Sequence, residues 1–313
     1  MKYPTCPYCH ARKTVKYGWP RWLCQSCHKT FRRRRDDQRD RSAVDAYTKD
    51  RCTYRRLAKR WSVGLGTAFR RVEKALKKSR PLLKRTKGHL KECDGVLILD
   101  GKWIRIRGKL HTCFVAWDRG FKRPIHFLLK EGGERELWYW RMLVDLERLG
   151  YRPIAFVSDG IQSLKESLAD RYPNLPHQRC TVHIFLAARA KVTGGGNMDE
   201  RSTAFIESLR SVLWSQTLRG AKQKFQRLWK TKHLMRGERE ALKYIWPTLP
   251  ECFVCRDKRW RGLRLPRSSN AIENVIGNIE ARLKTMRGTK SLAAAERLVN
   301  EILLQVSSQT INH

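Results

Sequence analysis

The chain has 313 residues, a length that suggests about two domains. Lys and Arg number 67 against 29 Asp and Glu, a formal net charge of +38, while 41% hydrophobic residues suffice for a core. So large an excess repels itself unless a polyanion is present; small acidic metabolites do not need it, whereas a phosphate backbone does. No apolar run approaches the roughly 18–20 residues of a membrane span. The start, Met1-Lys-Tyr-Pro-Thr-Cys6, lacks the apolar stretch of a secretory signal. These features predict a cytoplasmic, nucleoid-associated protein that binds nucleic acid and no membrane.

Cys6-x2-Cys9 and Cys24-x2-Cys27 form two identical pairs with 14 residues between them. Four thiolates at this spacing suit one tetrahedral Zn²⁺, a structural ion with no open position for substrate. Short extended pieces at Val15–Tyr17 and Arg21–Leu23 flank Gly18, so residues 1–35 read as a zinc ribbon. So small a core needs the metal to fold. Two disulfides or free thiols are the alternative, disfavoured in a reducing interior.

Arg32 to Arg41 is a polar charge run that reads as a linker, solvated or touching phosphates. From Tyr54 the pattern is helical, with Leu57, Ala58 and Trp61 on one face. Residues 62–66 break it, and a basic second helix begins near Thr67. A small Ala58 permits close crossing, so residues 42–91 are read as a helix-turn-helix domain contacting DNA through Thr67, Arg70, Arg71 and Lys74. An ordinary helical hairpin is the alternative.

Beyond residue 92 the period changes. Gly95–Asp100, Leu110–Trp117 and Arg123–Leu129 read as strands, Glu134–Leu149 as a helix, Pro153–Val157 as a strand and Ile161–Tyr172 as a helix. This is an α/β pattern around a mixed sheet. Residues 184–262 are mostly helical and basic. Ser268-Ser269-Asn270 then opens a long amphipathic helix, and a last helix runs from Ser291 to near Val306.

In so basic a chain an acid at a strand end is informative. Asp100 and Asp159 each close an apolar strand and precede Gly, and Glu273 lies in the first turn of the late helix. On adjacent strands the two aspartates would reach one rim of the sheet. There, with Glu273, they could hold two Mg²⁺ or Mn²⁺ ions roughly 3.5–4 Å apart for phosphodiester displacement. Each acid has a plainer reading: Asp-Gly makes turns, and Glu273 can close a capping box with Asn270. Glu280 is the rival third ligand and Asp118 the rival at the rim.

The strings GVLILDG (95–101), IAFVSDG (154–160), QRCTVH (178–183) and RSSNAIEN (267–274), in that order, resemble the DDE transposases of the Mutator-like group and related bacterial insertion-sequence transposases. The resemblance covers roughly residues 92–290. It implies an RNase H-like catalytic domain over 92–313, an insertion of about 80 residues that is helical in the family, and Asp100, Asp159 and Glu273 as the metal-binding triad. The zinc ribbon and helix-turn-helix are similar to end-recognition regions of such proteins.

The resemblance also marks Cys180 and His183 as a recurring Cys-x2-His element. With Cys252 and Cys255 they could form a second zinc site, or Cys180 is a buried residue and His183 lies near the active site. Arg256, Arg259, Trp260, Arg261 and Arg264, just before the Glu273 helix, either hold phosphates and stack on a base or form a solvated loop.

The expected function is a transposase that binds double-stranded DNA at its element's terminal inverted repeats and at the target. It would act as a homodimer or higher on DNA, hydrolyse a phosphodiester and transfer the 3′-OH strand. The rivals are an RNase H-like endonuclease or resolvase without strand transfer, and a transposase-derived DNA-binding regulator.

Overall fold

The computed structural model describes residues 5–6, 8–9, 11–18, 21–32, 36–194, 196, 199–285 and 291–306. The chain falls into two units, residues 1–78 and 79–313.

The first unit opens with an antiparallel sheet of β1 (Thr14–Lys16), β2 (Arg21–Cys24) and β3 (Thr30–Arg32). Gly18, at φ +72°, turns the chain out of β1, a conformation that costs glycine little. Trp22 lies opposite Phe31, and these two rings pack with Cys6 and Cys24.

Three helices follow: α1 (Asp36–Thr48), α2 (Tyr54–Arg60) and α3 (Leu65–Lys78). The charge run expected to be a linker is therefore helical from Asp36. The later part of α1 buries Ala43, Val44, Ala46 and Tyr47, and no Gly or Pro stops the helix from extending back through the charged residues. Thr53 caps α2 by accepting from the Arg56 N–H at 3.2 Å. Ser62, at φ +49°, turns the chain into α3, which starts two residues before Thr67. Ala68, Val72, Ala75 and Leu76 form its buried face.

In the second unit α4 (Leu82–Lys87) precedes a five-stranded sheet of β4 (Val96–Ile106), β5 (Lys109–Asp118), β6 (Arg123–Glu131), β7 (Ala155–Ser158) and β8 (His177–Arg179). The order is β6-β5-β4-β7-β8. The first three are antiparallel neighbours, and β7 and β8 run parallel to β4. Two helices, α5 (Glu136–Leu149) after β6 and α6 (Gln162–Arg171) after β7, make the crossovers. This is an RNase H-like mixed sheet. Leu97, Leu99, Phe114 and Ala116 pack with Tyr139, Met142, Leu143 and Leu164 from the helices.

β4 does not end at Asp100. It continues to Ile106, paired with β5, and Arg107 and Gly108, both at positive φ, close the hairpin. Asp100-Gly101 is consequently mid-strand and not a turn.

The expected insertion is helical: α7 (Thr181–Thr193), α8 (Glu200–Leu213), α9 (Leu218–Trp229) and α10 (Arg236–Thr248), then two 3₁₀ turns, Pro250–Arg256 and Lys258–Leu263. It has its own core, in which Ile184, Phe185 and Ala188 of α7 meet Leu209, Ala241, Ile245 and Phe253. Gly237 lies directly against the backbone of Lys191 and Val192, where any Cβ would collide. The last helices, α11 (Asn270–Thr285) and α12 (Leu292–Gln305), pack on β4 and β6 respectively. α4 is fastened to the same region: Leu82 N–H donates to Asn300 Oδ1 at 2.8 Å and Thr86 Oγ1 to the Ile125 carbonyl at 2.7 Å.

Candidate active site and metal centres

The sulfurs of Cys6, Cys9, Cys24 and Cys27 all lie within 4.8 Å of one another. Cys6 Sγ is 3.6 Å from Cys27 Sγ, and Cys9 Sγ is 3.5 Å from Cys24 Sγ. A zinc ion with bonds of about 2.3 Å sets sulfurs roughly 3.8 Å apart along the edges of its tetrahedron, so the cluster fits a structural Zn²⁺. These separations far exceed the ~2.05 Å of a disulfide, and none of the ten cysteines is disulfide-bonded.

In the second unit the register of β4 and β7 decides the geometry. Ile98 lies beside Val157 in the parallel pair, and two residues further along each chain stand Asp100 and Asp159. Neighbouring strands are about 4.8 Å apart; β7 ends at Ser158, so Asp159 stands just beyond its strand while Asp100 is within β4. Asp100 is only 7% exposed. Burial, with repulsion from Asp159 and Glu134, pushes its carboxyl up to about 7 against the opposing pull of His183.

Glu273, on α11, lies beside His183. Its carboxylate is 3.8 Å from His183 Nδ1, and its Oε1 is buried without a hydrogen-bond partner. The capping-box reading fails on register. α11 begins at Asn270 and the Ser269 carbonyl accepts from the N–H groups of Ile272 and Glu273, so Glu273 falls one position too late. Glu280 is engaged elsewhere, 3.6 Å from Lys102 Nζ. Asp118 lies at the opposite end of β4, beside Leu97. It accepts from the N–H groups of Gly95 and Phe121 and from Tyr151 Oη, a structural role.

One acid near this group gives no pattern in the sequence. Glu134, just before α5, accepts hydrogen bonds from Tyr139 Oη and the Trp103 side chain. It lies over Gly101, where an added Cβ would be 2.7 Å from its Oε2. Burial raises its carboxyl above the usual range, and the charges of Asp159 and His183 reach it. The available signal was Gly101 itself, since a strand glycine marks the close approach of another group.

Hard carboxylate oxygens, a buried orphan among them, and mutual repulsion at Asp100 are what a divalent cation such as Mg²⁺ or Mn²⁺ relieves. Among the described residues, however, the ligand atoms that gather within 4.8 Å here are those of Cys180, His183 and Glu273, and Asp100 and Asp159 are not among them.

Cys180 and His183 tie this corner together. Cys180 is buried where β8 enters α7. Its N–H donates to the Ser158 carbonyl, its sulfur accepts from the Ser269 N–H at 3.3 Å, and Thr181 N–H donates to the Arg267 carbonyl at 2.9 Å. Burial raises the thiol, but hydrogen bonds from His183 and Ser269 outweigh it and hold the group below its ordinary value. The same Cys180 bond lifts His183 to about 9, with help from the Asp100 and Glu273 charges.

Cys180, His183 and Glu273 bring their ligand atoms within 4.8 Å of one another, and Cys252 and Cys255 do not join them. Those two cysteines are held through their backbones by Gln178, which donates to the Cys252 carbonyl at 2.9 Å and accepts from the Cys255 N–H at 2.8 Å. The four-ligand second zinc site is not assembled.

Arg256, Arg261, Arg264 and Arg267 line a cavity of about 660 Å³. Arg119 pins this segment, bonding the Leu263 and Arg264 carbonyls while pairing with Asp94 at 2.7 Å. Arg259 is turned to Asp257, 2.7 Å away, and lies over the Trp260 ring. In the first unit Arg70, Arg71 and Lys74 are exposed on α3, and Thr67 is half-buried.

A family model described as "Transposase, Mutator family" matches residues 32–312. The chain belongs to the Mutator family of transposases. The match takes in nearly everything after the four-cysteine cluster. No curated protein sequence matches the chain. Among solved structures, the Mos1 mariner paired end complex with Mn is 14% identical, with 74% of this chain and 81% of that one covered at a TM-score of 0.22. A pre-cleavage Mos1 transpososome is also 14% identical, with 72% and 77% covered at 0.23. Among the described residues of this Mutator-family chain, no helix is long and apolar enough to cross a membrane.

Proposed function

We propose that this Mutator-family transposase binds its element's terminal inverted repeats through its first unit and cuts and joins DNA at Asp100, Asp159 and Glu273. The reading is supported most by the parallel register of β4 and β7, in which Ile98 pairs with Val157, each two residues before its aspartate: Asp100 within β4 and Asp159 just past the end of β7. A pair of bound Mg²⁺ or Mn²⁺ ions would activate the attacking oxygen and stabilise the leaving one.

The chain's own groups divide the remaining work. Asp100, Asp159 and Glu273 supply the oxygen ligands. His183, lifted to about 9, is cationic at neutral pH and steadies the Glu273 and Asp100 carboxylates. Arg256, Arg261 and Arg264 grip backbone phosphates, and Trp260, carrying Arg259 over its ring, stacks on an unpaired base. Thr67, Arg70, Arg71 and Lys74 enter the duplex groove from α3. Hydrolysis of one phosphodiester frees a 3′-OH. That hydroxyl then attacks a target phosphodiester, exchanging one such bond for another without ATP. Two element ends call for a homodimer or higher assembly on DNA.

The test is Mg²⁺-dependent cleavage of a DNA carrying the flanking inverted repeats, followed by strand transfer of precut ends. Asp100→Ala, Asp159→Ala and Glu273→Ala should each bind the ends and cut none. Persistent cutting without joined product by the unmodified protein would make it an endonuclease or resolvase. Full biological effect in both Asp variants would make it a DNA-binding regulator.

A further inference from the structure

We infer that Cys180, His183 and Glu273 form a three-ligand site for a thiophilic divalent cation of the zinc class, different in chemistry from the Mg²⁺ site read from Asp100, Asp159 and Glu273. It goes beyond that reading and shares one carboxylate with it.

Two helix starts make the site. Cys180 immediately precedes α7 and His183 is the third residue of that helix, so one turn presents both side chains, which hydrogen-bond to each other. Glu273 is the fourth residue of α11. Two bonds join these turns: Thr181 N–H donates to the Arg267 carbonyl at 2.9 Å, and Ser269 N–H donates to Cys180 Sγ at 3.3 Å. The three ligand atoms consequently converge, all within 4.8 Å of one another, with Glu273 Oε1 3.8 Å from His183 Nδ1. A tetrahedral Zn²⁺ with bonds of about 2.0–2.3 Å sets such atoms roughly 3.3–3.6 Å apart, so side-chain shifts of about 1 Å close the set.

The donor types select the ion. Sulfur and imidazole suit Zn²⁺ and Co²⁺ and are poor ligands for Mg²⁺. The Ser269 N–H aimed at the sulfur favours the thiolate, and Glu273 Oε1 is buried without a hydrogen-bond partner, a carboxylate oxygen left uncompensated. The His183 side chain is 33% exposed and that of Glu273 38%, whereas Cys180 is fully buried. The sulfur is therefore the floor of the site, and the fourth position opens to water or a phosphate oxygen. On binding, the proton shared by Cys180 and His183 leaves to solvent, and the thiolate and carboxylate balance the charge of the ion. An occupied site holds Glu273, so soft and hard cations compete for one carboxylate, a consequence that rests on the three-acid reading.

The measurement is Co²⁺ titration of the purified full-length chain with zinc left in its four-cysteine cluster. Binding is read from the near-ultraviolet thiolate-to-Co²⁺ charge-transfer band and the visible d–d bands. The unmodified protein should take up one Co²⁺ with the thiolate band, and Zn²⁺ should bleach it. Cys180→Ser and His183→Gln should each bind about 10-fold or more weakly, and Cys180→Ser should also lose the thiolate band. Near-ultraviolet circular dichroism checks their folds. Cobalt exchanging into the four-cysteine cluster appears equally in every variant and cancels in the difference. Cys255→Ser should bind as the unmodified chain does. Undiminished binding in Cys180→Ser or His183→Gln, or a band lost in Cys255→Ser, overturns the three-ligand assignment. Asp100→Asn should keep the band whether or not it cuts DNA, so this site and the three-acid reading fail separately; a band lost there too overturns the separate site. If Cys180→Ser does not fold, His183→Gln carries the same titration with the same outcomes.

Discussion

The Ser269 backbone N–H points at the sulfur of Cys180, 3.3 Å away and 89 residues earlier in the chain. Through that bond the first turn of α7 holds the first turn of α11, and with it Glu273. Cys180→Ala leaves a fully buried N–H without its acceptor, a cost of about 1–3 kcal/mol. It also loosens the helix end that orients the carboxylate. Single-turnover cleavage should fall by about 10–100-fold with end binding unchanged, and Cys180→Ser should recover part of the rate. A Cys180→Ala protein that cuts at the normal rate would refute this positioning role.

Asp100 makes the metal-free protein less stable at neutral and alkaline pH. Its carboxyl sits at about 7 in the fold against an ordinary 3.8, so the fold favours the protonated form. The associated stability is full below about 3.8 and is lost as pH rises through 7. Asp100→Asn should therefore stabilise the metal-free protein at pH 8, by on the order of 2–4 kcal/mol. Mn²⁺ should raise the melting temperature of the unmodified protein, and that of Asp100→Asn by less. Thermal melts with and without the ion check both halves.

Acid acts on two other residues. Burial drives His126 and His177 down to about 4 from 6.5, so both are neutral in the fold. Below pH 6.5 the unfolded chain takes up protons that the folded chain refuses. Stability is then complete above about 6.5 and falls as pH approaches 4, by up to about 1.4 kcal/mol per pH unit for each histidine. Urea melts at pH 7 and pH 5 should show the loss, and His177→Gln should reduce it by about half. An identical acid slope in that variant would contradict the assignment.

Removing zinc should disable recognition without touching the core. Strong chelation, or Cys6→Ser, should release about one Zn²⁺ per chain and unfold the ribbon, because four thiolates hold its small core together. Gel-shift affinity for the element ends should drop while the second unit keeps its circular dichroism. End binding undiminished in the metal-free chain would count against the ribbon's role.

Arg256→Ala and Arg261→Ala probe the arginine-lined cavity. If each arginine neutralises one phosphate, the slope of log affinity against log salt should become shallower by about 1 per substitution. A titration between low and moderate salt reads the slope directly, and an unchanged slope places those side chains off the DNA path.

How far the sequence revealed this molecule depended on where each feature is encoded. The strands leading to Asp100 and Asp159 were legible because a doubly covered strand must be apolar and an acid interrupts that pattern, although β4 itself runs on past Asp100. The cluster of Cys6, Cys9, Cys24 and Cys27 was legible from spacing alone. The beginning of α1 was not, because its charged residues are helical only as an extension of the face formed by Ala43 to Tyr47. Nor was the far half of β4, which depends on its hairpin with β5. Glu134 was hidden because nothing local distinguishes it; its place depends on a glycine more than thirty residues earlier. Cys252 and Cys255 left two readings open in the sequence. They have a metal knuckle's spacing, yet Gln178 binds their main chain and the thiols stay separate from His183.

Helix α7 serves two masters. Its opening turn holds His183 beside the acids, and its remaining turns are staves in the barrel of the insertion, wedged against α10 at Gly237 with no room for even a methyl group. A rigid rod clamped at one end transmits whatever tilts it. Any partner that shifts the inserted helices therefore moves the imidazole too, and the accessory lobe becomes a handle on the chemistry.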